Sequence, residues 1–99
     1  TVQGAPAESI QTHTGSASML ADKTIHIATR QGSDITLTLP AAADNSGKIF
    51  KVKASGTAAG NVIIATAGSE TIDAAATITL ESANAAVSLV CDGSNFHIV

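Results

Sequence analysis

The sequence predicts an all-β fold, with short antiparallel strands forming a sandwich or barrel-like module and an extended N-terminal arm. Three observations carry this expectation. From Lys23 to Val99, run after run alternates apolar and polar residues with a period of two, which sets every second side chain on one face of a strand. Gly, Asn, Asp and Ser divide these runs at the spacing usual for sandwiches and barrels. The only helical candidates are Ala clusters at 41–44, 73–77 and 82–86, too short for more than a single turn.

Residues 1–22 form the expected arm. Gly, Ser, Thr, Gln, Pro and Ala dominate it, and Val2, Ile10, Met19 and Leu20 are its only appreciably apolar side chains. Such a segment builds no core by itself, so these four residues are expected to attach it, extended, to another subunit or surface. Residues 23–99 form the β domain. "KTIHIAT" directs Ile25 and Ile27 to the core and His26 away from it; "DITLTLP" does the same with Ile35, Leu37 and Leu39. Pro40 ends that strand because it has no N–H to donate. After turn chemistry at Asn45, Ser46 and Gly47, "KIFKVKA" places Phe50, Val52 and Ala54 inward and Lys51 and Lys53 outward. "NVIIATA", "ETIDA", "TITLES", "AVSLVCD", with Val87 and Leu89 on one face, and "NFHIV", with Phe96, complete about eight strands.

Ninety-nine residues allow one domain. Two Phe, no Trp and no Tyr accompany a hydrophobic fraction of 44%, which Ala inflates while burying little area per residue. The core is therefore expected to be thin and completed by burial between subunits. A net charge of −3 with five Lys plus Arg leaves no basic stripe to neutralise phosphates, which excludes nucleic acid as a partner. Neither a signal peptide nor an apolar run of about 18 residues occurs, so no membrane partner is expected. A chain starting at Thr1 is what loss of an initiator Met before a small residue leaves, and a complete small protein is expected.

Candidate chemistry is sparse. His13, His26 and His97 do not share metal-ligand spacing, and only a threefold axis would bring copies of one together. Cys91 alternates with Val87 and Leu89 beside Asp92; without an electropositive neighbourhood it reads as a small buried hydrophobe. No G-x-S-x-G elbow is present. Asp34, Asp44, Asp73 and Asp92 sit in turn-like contexts, where Asp commonly bonds its own backbone. "DNSG" and "DGSN" lack the spaced oxygen ligands of a calcium loop. No catalytic residue, metal or cofactor is expected.

The order of the pieces "ITLTLPAA", "GKIFKVKASG", "NVIIATAGSETIDAAATITLES" and "AVSLVCDGSNFHIV" resembles a module of tailed-bacteriophage virion proteins, found in tail fibres, spikes and head appendages. In that family a strand ends in Leu-Pro, a "GK.F.VK" strand follows, a "G..TIDG" turn precedes a Leu-bearing strand, and a "V.LV.DG.NW" element closes the module. Ala74 stands where that turn often has Gly, and Phe96 where Trp or Tyr is common. The resemblance covers about residues 34–99. It implies a non-enzymatic, homotrimeric β module on the virion surface. Ile35, Leu37, Leu39, Phe50, Val52, Val87, Leu89 and Phe96 would then serve the core or the trimer interface. A short chain suits a capsid decoration or cement protein, bound through its arm to the major capsid protein or other virion proteins. A receptor-binding or connecting module of a tail fibre or spike is the alternative, and a glycan depolymerase fragment is third.

Overall fold

A computed structural model describes residues 9–99. Nine strands lie in two facing sheets: β1 (Ile10–His13), β2 (Ala17–Ser18), β3 (Ile25–Thr29), β4 (Ile35–Thr38), β5 (Ile49–Ser55), β6 (Val62–Ala65), β7 (Thr77–Leu80), β8 (Ala86–Cys91) and β9 (Phe96–Ile98). The five-stranded sheet runs β1-β3-β5-β8-β9 and the four-stranded sheet β2-β4-β6-β7. The one helical element among the described residues is a 3-10 turn, Ala42–Asp44, within the first Ala cluster.

The all-β expectation holds, but the antiparallel one holds only for the last three strands. β1, β3 and β5 pair in parallel, as do β2, β4 and β6; β7, β8 and β9 pair antiparallel. The reason lies in the order of the strands. From β1 to β6 each strand enters the sheet opposite the one before it, so the chain winds as a coil and returns to each sheet in the same direction. A parallel pair needs a crossover, and here the crossover is a strand of the other sheet.

The core fills the space between the sheets. Ile35, Leu37, Leu39, Val62, Ile64 and Leu80 line one side, and Ala28, Phe50, Val52, Ala54, Leu89, Cys91 and Phe96 the other. The residues expected at either the core or a trimer interface thus pack within one chain, with Val87 half-buried against them. They are not free to form a subunit interface. Phe50 and Phe96 meet in a tilted pair with ring centroids 6.4 Å apart, a favoured aromatic geometry.

β3 corrects another expectation, since His26 and Ala28 face inward and Ile25 and Ile27 are half-buried on the outer face. Register decides this. Val52 pairs with His26, Ala54 with Ala28, Lys51 with Ile25 and Lys53 with Ile27. Once Phe50, Val52 and Ala54 take the core, every neighbour in register must follow, because a one-residue slip would reverse the whole strand.

The N-terminal segment also departs from a free arm over its described part. Ser9 carbonyl accepts from the Thr24 and Ile25 amides, and the Met19 amide donates to Thr38. Met19, expected to attach the arm elsewhere, is buried in the chain's own core, where a side chain of its type is stabilised by about 1.5–3 kcal/mol. Ile10 and Leu20 are exposed, and Val2 lies outside the described residues.

Successive rungs of the coil are held together at their turns. The buried Arg30 guanidinium, between β3 and β4, donates to the carbonyls of Ser55, Gly56 and Gly60, at 3.4, 2.6 and 3.4 Å. Five N–H donors in a fixed fork suit a cluster of carbonyls. In the same turn pair, Asp34 Oδ1 accepts from the Asn61 amide, so it ties two turns together and does not cap its own backbone as expected.

Candidate functional surface

Three features stand out beyond the core: an apolar outer face, a groove edged by lysines and a pair of buried histidines. The outer face of the five-stranded sheet is assembled by the same register that fills the core. Ile10, Ile25 and Lys51 lie side by side, and Ile49 pairs with Val90. Ile10 is 53% exposed and Ile49 44%, while Ile25, Ile27 and Val90 are half-buried. Lys51 and Lys53, paired with Ile25 and Ile27, have long apolar stems of the kind that cover neighbouring hydrophobic surface. The outer face of the other sheet differs: Ser18, Thr36, Thr38, Thr77 and Thr79 give it a hydroxyl-rich surface interrupted by Ile63.

At one end of the apolar face, the turn before β3 and the segment entering β5 enclose an open groove of about 430 Å³, edged by Lys23, Lys48 and Lys51. Lys51 and Lys53 were legible as outward residues from strand alternation. Lys23 and Lys48 were not, because their approach depends on the β3–β5 register.

His26, expected to point away from the core, is buried together with His13, their rings stacked with centroids 5.3 Å apart. A carbonyl only accepts, so His26 Nε2–H donates to the Lys23 carbonyl at 2.9 Å. Its Nδ1 therefore accepts from His13 Nε2–H at 3.1 Å. This arrangement requires a neutral His26 ring. Burial lowers the pKa of each, and for His26 the charge of His13 lowers it further against an opposing contribution from the Lys23 hydrogen bond.

His97 is exposed, with Nε2 2.7 Å from Asp92 Oδ2 and Nδ1 3.6 Å from Asp73 Oδ1. Asp92 also accepts from the Ser94 and Asn95 amides at 2.8 and 2.7 Å. The His97 hydrogen bond and then these amides hold its carboxyl at about 2, and the Asp92 hydrogen bond raises His97. Asp92 is a loop cap built into "DGSN". Among the described residues, no three His, Cys, Asp or Glu side chains are grouped to hold a metal ion. Cys91 is buried, with its thiol 3.4 Å from the Ala42 carbonyl.

No family model, curated protein or solved structure matches the chain.

Proposed function

We propose that the protein is a non-enzymatic structural component of a tailed-phage virion: a homotrimeric decoration or cement-like protein on the capsid surface. The observation that carries the reading is the outer face of the five-stranded sheet, where Ile10, Ile25 and Ile27 on one side and Ile49 and Val90 on the other flank Lys51 and Lys53, leaving apolar side chains partly exposed on a small domain. Apolar surface of this kind marks contact with another molecule. Three copies meeting on this face would cover it, giving the trimer an interface that leaves each chain's core intact. The virion assignment rests on the resemblance, and its motif pieces occupy positions with physical work to do. "TIDA" makes the tight turn at Asp73–Ala74, and "DGSN" carries the Asp92 cap. Attachment to the major capsid protein falls to the N-terminal segment, the part of the arm that precedes β1.

A second reading, a module of a tail fibre or spike, is favoured by a different feature. β1 and β2 are the edge strands of their sheets at the same end of the coil, and such edges accept further strands.

Light scattering tests assembly, with Ile10→Glu/Ile49→Glu as the comparison. The expected result is a trimer for the parent chain and a monomer with unchanged circular dichroism for the variant. A stably folded parent monomer at micromolar concentration overturns trimerisation. Electron microscopy of undecorated heads mixed with the protein tests location: many copies on the shell are expected, and none there with a few copies on the tail selects the fibre reading.

A further inference from the structure

The chain is acidic overall, yet its four lysines share one side of the molecule. Lys51 and Lys53 project from the outer face of the five-stranded sheet, and Lys51 joins Lys23 and Lys48 around the groove between the turn before β3 and the entry to β5. Among the described residues, none of the four makes a salt bridge. The groove has one carboxylate, Asp22, against three ammonium groups. Its walls are tied by backbone and side chain: the Lys51 amide donates to the Thr24 carbonyl at 2.8 Å, and Lys48 Nζ reaches across to the Ala21 carbonyl at 3.4 Å. Three cations held around one open volume repel one another, and an anion between them reverses the sign of that interaction.

The side chains narrow the class of anion. Lysine is a compact point charge with rotatable donors, which meets the tetrahedral oxygens of a phosphoryl group without the planar alignment that a guanidinium fork requires. The only arginine among the described residues, Arg30, is buried, with its guanidinium bonded to the carbonyls of the β5–β6 turn. No aromatic ring lines the groove, so it has no platform for stacking a nucleobase. A volume of about 430 Å³ exceeds what a bare phosphate requires and leaves room for an attached polar group.

We propose that this groove binds a phosphoryl group carried on a small polar molecule or on a phosphate-bearing glycan, with Lys23, Lys48 and Lys51 as its cationic contacts. The proposal stands on the groove and not on the virion assignment; because Ile49 and Lys51 also belong to the face proposed for trimer contact, binding here requires that face to stay open at its Lys51 end.

The test is an amide chemical-shift titration of the whole chain with inorganic phosphate, glucose 6-phosphate, glucose and citrate as separate probes. A phosphorylated teichoic-acid fragment supplies the glycan arm. Saturable shifts confined to residues 21–24 and 47–51 are expected with phosphoryl probes in the millimolar range, weakening with added salt. Stronger binding of glucose 6-phosphate selects the small-molecule source, and stronger binding of the polymer fragment the glycan. Lys23→Gln/Lys48→Gln/Lys51→Gln should weaken binding about tenfold or more, while Lys53→Gln leaves it unchanged. No saturable shift with any phosphoryl probe, equal binding of citrate, or full binding by the triple variant overturns the proposal. Amide dispersion of the triple variant in the same spectra verifies its fold.

Discussion

Ala74 shows how far one residue can be read from sequence. Its φ of 71° follows an Asp73 φ of 47°, and Ile72 and Ala75 exchange both backbone hydrogen bonds, at 2.7 and 2.9 Å. Positive φ at both central residues is the signature of the tight hairpin turn that favours Asp-Gly. Ala occupies this left-handed region at a cost that glycine avoids. Ala74→Gly should therefore stabilise the fold by about 1 kcal/mol, seen as a higher urea midpoint with an unchanged slope. The histidines were less legible. Alternation with Ile25 and Ile27 turned His26 outward on paper, since apolarity alone cannot say which face a neighbouring strand's register will force inward. Its burial next to His13 has a consequence in pH. Both folded-state pKa values lie below the ordinary histidine value, so the unfolded chain binds protons first on acidification. Their contribution is complete above about 6.5 and is lost as pH falls from there through the depressed folded values. Exposed His97 opposes this weakly, because its raised pKa favours the folded state as it protonates. Urea unfolding should show falling stability below pH 6.5, with a shallower fall in His13→Gln; an identical fall in that variant would remove the pair as the cause.

At the level of elements, alternation located β4 and β5 with the correct faces, and most other strands to within a residue or two, but "ETIDA", expected as a strand, holds the Asp73–Ala74 turn with only isolated bridges at Ile72. It did not reveal parallel winding. Ile10 and its partner Ile25 are 15 residues apart, whereas Ile25 and its partner Lys51 are 26 apart, so the rungs have no constant period for the sequence to display. β1 and β2 were hidden for a related reason: edge strands of four and two residues carry too few apolar positions to declare a face. Turns hold the rungs in line, and Gly60 is the tightest of them. Its φ is 112°, and a Cβ added there would lie 2.3 Å from the Ser33 carbonyl oxygen. That neighbour is backbone, and the Gly60 carbonyl also receives Arg30. Gly60→Ala should cost about 2 kcal/mol or more, measured by thermal or urea unfolding. Gly15→Ala is the control, since nothing lies within 4 Å of the added atom.

For the whole molecule, composition suggested a core too thin to stand without partners, whereas the two sheets bury a continuous set of side chains within one chain. Met19 and the residues of β1 and β2, expected in a separate arm, belong to these sheets and their interior. Their inclusion closes one end of the interior and adds ladder hydrogen bonds that polar composition could not announce. Truncation distinguishes a detachable segment from a structural one. Deleting residues 1–20 should cost at least the 2–5 kcal/mol typical of removing a buried Met side chain. Unchanged stability of the truncated chain, by chemical denaturation, would restore the separate arm.

The two ends of the coil differ in what they permit over evolutionary time. At β9, the amides of Phe96 and Asp73 bond the carbonyls of Thr71 and Phe96, so the sheet edge there is already occupied by its own loop. At β1 and β2, the described strands present the directions and side-chain alternation that another turn of chain would need. Duplication of one rung's worth of sequence before Ile10 would lengthen the module while leaving the interior, the Arg30 clasp and the C-terminal hairpins in place. The same insertion near β9 would have to displace the Thr71–Asp73 segment first. Length variation among descendants of this chain should therefore accumulate on the N-terminal side.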